Sequence, residues 1–131
     1  MSCVYTARVA VKFDLAPVSI ASNTNVASAT LELYITSDAV DRLSDPITVH
    51  RLTAAWNPAE TTWNRRDNLT MWTVPGGDFD PVPDDSVTAG SADTGTWIVL
   101  DVTRSVQAWV NDPVANHGLI VKMPGRFTDK F

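Results

Sequence analysis

From residue 5 to residue 13 the chain alternates, with Tyr5, Ala7, Val9, Val11 and Phe13 on one face and Thr6, Arg8, Ala10 and Lys12 on the other. A period of two with β-branched side chains predicts a half-buried strand. Residues 14–25 carry Pro17, serines and asparagines and predict a loop. Ala29, Leu31, Leu33 and Ile35 then alternate with Thr30, Glu32 and Tyr34, giving a second strand. Residues 37–46 are polar and turn-rich, and residues 47–52 predict a third strand. Beyond them the pattern loosens. Turn chemistry surrounds Pro58, a short β-like piece follows at 61–64, and Pro75-Gly76-Gly77 breaks the chain. Residues 78–95 hold Pro81, Pro83 and several aspartates, which predicts a long loop with one weak strand at 86–89. Residues 97–100 and 119–122 predict two more strands. Between them Val102, Val106, Trp109 and Val110 recur at helical spacing, so residues 104–110 predict a short helix, with Asp101 or Thr103 available to cap it. Many short strands joined by Pro- and Gly-rich turns predict an all-β fold, an antiparallel jelly-roll-like β-sandwich with one short helix.

The length of 131 residues fits one domain spanning 1–131. A net charge of −5 disfavours nucleic acid, because phosphate binding needs clustered Lys and Arg. No run of 18 apolar residues is present to span a membrane. Met1-Ser2-Cys3-Val4-Tyr5 has neither the basic flank nor the apolar stretch of a signal peptide. The expectation is a chain not exported by that route, or one that begins inside a longer chain. Cys3 is the single cysteine and has no internal partner for a disulfide.

Candidate chemistry is sparse. His50 falls mid-strand, with Thr48 and Leu52 on its face, and His117 sits in a tight turn between Asn116 and Gly118. Neither belongs to a local motif with a catalytic Ser, Cys or carboxylate, so no catalytic residues and no enzyme activity are expected. Asp78, Asp80, Asp84 and Asp85 crowd one loop just after Gly76 and Gly77. Calcium takes six to eight oxygen ligands, and a turning loop of carboxylates can supply several. Their spacing does not match an EF-hand, and the competing interpretation is a solvated acidic loop. Five tryptophans invite a sugar site, because sugar rings stack on exposed aromatic faces. Trp109 lies on the apolar side of the helix, and Trp56 and Trp63 flank a turn, so all three are expected in the core. Trp72, surrounded by polar loop, is the best exposed platform; Arg65 and Arg66 stand near it in sequence, and Arg matches a carboxylate bidentately. Trp97 starts a strand and its face is undecided.

The motifs stand in a definite order. Lys12-Phe13-Asp14-Leu15 precedes Ala27-Ser28-Ala29-Thr30-Leu31-Glu32-Leu33-Tyr34 and Val49-His50-Arg51-Leu52-Thr53-Ala54-Ala55-Trp56. Thr61-Thr62-Trp63-Asn64, Trp72-Thr73-Val74-Pro75-Gly76-Gly77-Asp78, and Asp101-Val102-Thr103 through Gln107-Ala108-Trp109-Val110 follow, and Asn116-His117-Gly118-Leu119-Ile120-Val121-Lys122 closes the series. This order resembles the DNRLRE-type domain, related to the disaggregatase repeat and to family 96 carbohydrate-binding modules, over nearly the whole chain. The resemblance implies a jelly-roll-like sandwich that is a non-catalytic appendage of secreted polysaccharide-active enzymes, cell-surface proteins or phage structural proteins, and some relatives bind acidic polysaccharide. Such domains usually begin one or two strands before the segment matching residues 7–15 and continue past 127–131 into another strand. The resemblance therefore implies that the terminal strands are supplied by another copy or a neighbouring protein chain through the sheet edges, or that the sequence is a fragment. The expected role is a structural or assembly module of an extracellular surface structure, filament or virion; the alternative is a carbohydrate-binding module for an acidic polysaccharide.

Overall fold

The computed structural model describes residues 3–35, 46–88 and 95–127. Six strands appear in chain order: β1 (Cys3–Val11), β2 (Thr30–Tyr34), β3 (Ile47–Arg51), β4 (Asp85–Val87), β5 (Trp97–Asp101) and β6 (Leu119–Phe127), with one α-helix, α1 (Thr103–Asn111), between β5 and β6. They form two antiparallel sheets, one of four strands in the order β1-β6-β3-β4 and one of two, β2-β5. The all-β sandwich with a single short helix is the fold that the pattern predicts. Most of the turn-rich stretch 37–46, and Ala89 at the end of the weak strand, lie outside the described residues.

The main core fills the space between the sheets. Ile47 and Val49 of β3, Leu119 and Val121 of β6, Leu31 of β2, and Ile98 and Leu100 of β5 meet there with Val102 and Trp109. Each is at most 7% exposed, and burying such a side chain stabilises the fold by about 1.5–3 kcal/mol. β5 alternates cleanly: Ile98 and Leu100 point inward while Trp97, Val99 and Asp101 face solvent. β6 does not alternate. Leu119, Ile120 and Val121 are all buried, which marks a strand covered on both faces. The second cover is the irregular excursion 52–80. It folds back over the outer face of the four-stranded sheet and forms a second cluster of Leu52, Trp72 and Ile120, with Ala10, Ala54, Trp56 and Phe79 packed against it.

The two long strands shift from their expected bounds for local reasons. β1 pairs with β6 from Cys3↔Phe127 to Val11↔Leu119, so it ends where β6 begins. Gly118 sets that corner at φ +85°, and a Cβ on it would collide with the Val11 carbonyl oxygen. β6 runs on through Pro124, past the strand expected over residues 119–122. The β3 ladder ends at Thr48↔Lys122, so a residue without an N–H costs no rung on that side. The helix buries Ser105, Trp109 and Val110. Gln107 ties the 14–29 loop down, accepting from Val26 N (2.8 Å) and donating to Thr24 O (2.9 Å).

Candidate functional site

Two places in this frame hold features that the fold alone does not require. The first is the side of the sandwich between β1 and β2. β4 contacts β5, so that side is closed. Among the described residues β1 and β2 each have one partner strand, and each ends its sheet. Between the end of β1 and the start of β2 lies an apolar slot of ≈ 180 Å³, lined by Phe13, Leu15, Leu31, Val106, Trp109 and Leu119 among others. Phe13, one of its walls, remains 43% exposed, and Val9 of β1 is 49% exposed. Trp109 is 2% exposed, yet its indole Nε1–H has no acceptor among the described residues.

The second place is the outer face of the four-stranded sheet at the edge of the excursion. Arg8 of β1 sits directly opposite Lys122 of β6. The Arg8 guanidinium lies 4.7 Å from the Trp63 ring centroid and 5.4 Å from that of Phe79, and its Nη1 donates to Gly76 O (2.8 Å). Lys122 Nζ lies 4.9 Å from the Phe79 centroid. Burial and then the Arg8 charge hold the Lys122 ammonium below its ordinary value. Gly76 stands at φ +95°, and a Cβ on it would crowd the Arg8 guanidinium and the Trp63 ring. Trp63 keeps 47% of its surface exposed. Sequence reasoning places Trp63 in the core and passes over Arg8 and Lys122. Their pairing depends on the β1–β6 register, which joins residues more than a hundred positions apart.

The sequence-nominated sugar residues do not converge. Trp72 is 6% exposed and its Nε1–H donates to Thr62 O (3.1 Å), so it is a core residue of the excursion and offers no free stacking face. The polar residues around it in sequence form the turns that bury it. Arg65 and Arg66 lie in the same excursion. Arg65 Nη1 donates to Asn68 O (3.4 Å), and Arg66 Nε is buried without an acceptor among the described residues. Trp97 is on the other sheet, 61% exposed, in edge-to-face contact with Tyr34 at 5.3 Å. Trp56 is half-buried and donates to His117 O (2.6 Å).

The four aspartates are likewise dispersed, each in a separate structural task. Asp78 accepts from Thr73 N (3.0 Å) and Val74 N (2.9 Å); burial raises its pKa, and these N–H donors more than offset that, holding it below the ordinary carboxylate value. Asp80 pairs with Arg104 (2.8 Å) and Arg51 (3.6 Å). Asp84 accepts from Ser105 N (3.0 Å), capping the first turn of α1 from a distant loop. Asp85 accepts from Ser86 N and Asp101 N, both at 2.8 Å. Among the described residues no three His, Cys, Asp or Glu side chains come together as a metal site. The four carboxylates do not converge on one point, because backbone donors and arginines from separate elements hold them apart.

His50 is buried on the outer face of the four-stranded sheet, against Phe79. Its Nδ1 lies 2.8 Å from Asp80 O, and a carbonyl only accepts, so Nδ1 carries the proton. Nε2 then accepts from the Thr48 hydroxyl (3.0 Å). Both ring nitrogens are engaged, and burial pushes the pKa below its ordinary value. His117 is lowered too, by burial and then by the charges of Lys12 and Arg66. No helix among the described residues is long and apolar enough to cross a membrane.

No curated protein matches the chain. A family model does, that of the disaggregatase-related repeat domain, over residues 2–129. That match runs through both sheets, the helix and the excursion, and the chain belongs to the disaggregatase-related repeat domain family.

Proposed function

We propose that this chain is a non-catalytic structural module of an extracellular surface structure, filament or virion, whose copies assemble through the edges of β1 and β2. The observation that carries this reading is the open side of the sandwich. A nine-residue edge strand, β1, stands beside the start of β2, with an apolar slot between them. An unpaired edge presents a row of N–H and C=O groups, which another chain extends with ordinary ladder bonds. The slot is walled by apolar side chains and takes an apolar side chain from such a strand. The likeness of the motif order to DNRLRE-type domains and family 96 modules supports a place on a surface or appended to a larger protein. The engaged nitrogens of His50 support the absence of catalysis.

Sedimentation across a concentration series tests the proposal. The wild-type chain is expected to associate as concentration rises. Val9→Lys puts a charge on an already half-exposed edge position and is expected to leave a folded monomer. A wild-type chain that stays monomeric throughout, or a Val9→Lys chain that associates equally, overturns it.

A further inference from the structure

We propose that the outer face of the two-stranded sheet docks a basic polypeptide segment, one that carries arginine or lysine at alternate positions. Six side chains point out of that sheet: Thr30, Glu32 and Tyr34 from β2, and opposite them Asp101, Val99 and Trp97 from β5. Tyr34, Trp97 and Val99 each remain at least half exposed, and Tyr34 and Trp97 touch edge to face across the strands. The excursion roofs the outer face of the four-stranded sheet, whereas this face carries three neighbouring exposed apolar side chains. Large apolar groups gathered on one exposed face mark a contact surface. The face stands perpendicular to the unpaired backbone groups at the strand edges, so the inference does not depend on assembly through them.

The charges decide what covers it. The charged side chains among the six are Glu32 and Asp101, and no cation stands with them. Glu32 makes no side-chain hydrogen bond or ion pair among the described residues. Asp101 accepts from the Thr103 hydroxyl (2.6 Å) and from Thr103 N (2.9 Å), which hold its carboxyl below the ordinary value and keep it ionised. The aromatic rings add to the same sign, because the π-face of Trp or Tyr attracts a cation within about 6 Å. The molecule already makes this contact once, with the Arg8 guanidinium 4.7 Å from the Trp63 centroid. An arginine lies flat on a ring and still directs its N–H fork at a carboxylate. Along β2 the outward side chains recur every second residue, about 7 Å apart, which is the repeat of alternate side chains in an extended peptide. Acidic polymers and anionic membranes bring negative charge to two carboxylates and are repelled. A neutral glycan gains contact with the rings but no charge attraction, and its binding does not respond to salt.

Fluorescence anisotropy of a labelled Arg-Thr-Arg-Thr-Arg peptide, titrated with the full chain at low salt, tests the proposal. Binding is expected, weakening as salt rises, and a Glu-Thr-Glu-Thr-Glu peptide should not bind. Trp97→Ala and Glu32→Gln should each weaken binding about two- to fivefold, the worth of an exposed cation–π contact and of an exposed ion pair. Trp97→Phe keeps a ring and should retain most of the affinity. Asp112→Asn removes the same charge from an exposed position beyond α1 and should leave binding unchanged. Val9→Lys, altered on β1, should bind as the wild type does. Absence of wild-type binding overturns the proposal, as does unchanged affinity in Trp97→Ala or Glu32→Gln. An equal loss in Asp112→Asn makes net charge the cause and overturns the site. A loss in Val9→Lys makes binding a product of association through the strand edges and overturns the independence of the face. Salt-insensitive, Trp97-dependent binding of neutral cellohexaose without binding of the peptide assigns the face to a glycan and overturns the basic segment.

Discussion

Replacing Trp72 separates a core side chain from a ligand platform. Trp72 is 6% exposed, and with Leu52 (0%) and Ile120 (4%) it makes the whole buried part of the outer cluster. Trp72→Ala removes the largest member of that cluster and leaves Thr62 O without its donor. Large-to-small changes of a buried Trp cost about 3–5 kcal/mol, depending on how far the site collapses. The excursion has sheet on one side only and can close partway, so the lower half of that range, about 3–4 kcal/mol, is expected. Trp72→Phe keeps an apolar ring and loses the Nε1–H, and it should cost about 1–2 kcal/mol. Urea unfolding followed by circular dichroism reads both, because fluorescence changes with the tryptophan itself. Small domains hold about 5–15 kcal/mol, so the Ala variant should still fold with a clearly lowered midpoint. A loss below about 1 kcal/mol, the level of an ordinary surface change, would refute the reasoning.

Acid should weaken the fold through its histidines. His50 and His117 are held below their ordinary 6.5 in the native state, so the unfolded chain binds more protons than the native one once pH drops to that value. Stability is full above about 6.5 and falls as pH descends toward the lowered native values, by at most about 1.4 kcal/mol per unit for each histidine. Tm measured from about pH 8 to about pH 5 should decline in that window, and a flat profile contradicts it. Asp84→Ala removes the carboxylate that caps Ser105 N and should cost about 1 kcal/mol by urea unfolding, while calcium chelation leaves the wild-type Tm unchanged; a chelator-dependent Tm refutes the structural role given to these aspartates. Gly118→Ala forces a Cβ toward the Val11 carbonyl at φ +85° and should cost more than about 1 kcal/mol, and a neutral Tm would show that the β1–β6 corner is not so tight.

The core-facing alternation of β2 and β5 is legible in the sequence, because one face of each is packed and the other is mostly wet. The helix is legible for the same reason at its own period. The excursion 52–80 is not. Its backbone follows turns with no repeating period, so nothing local announces that Trp72 is buried while Trp63 is half-exposed. Each is decided by whether the fold-back lays it on Ile120 or leaves it at the rim. Residues 78–85 mislead in another way. Clustered aspartates suggest a metal, but three of the four meet donors from distant elements: Asp80 meets Arg51 and Arg104, Asp84 the start of α1, and Asp85 the end of β5, while Asp78 is held by the nearby Thr73 and Val74 amides. Arg8 and Lys122 are missed because each looks like a solvated strand position until the register sets them face to face.

Amide hydrogen exchange along β1 as a function of protein concentration tests the assembly account most directly. In an antiparallel edge strand alternate amides point into the sheet and out of it. In dilute protein, amides of Cys3–Val11 that bond to β6 should exchange slowly and the outward ones fast. As concentration rises, the outward amides of β1, together with those of β2, should gain protection while the central amides of β6 and β3 stay as they were. Outward β1 amides that exchange equally fast at every concentration, in a chain whose β6 remains protected, would contradict the account.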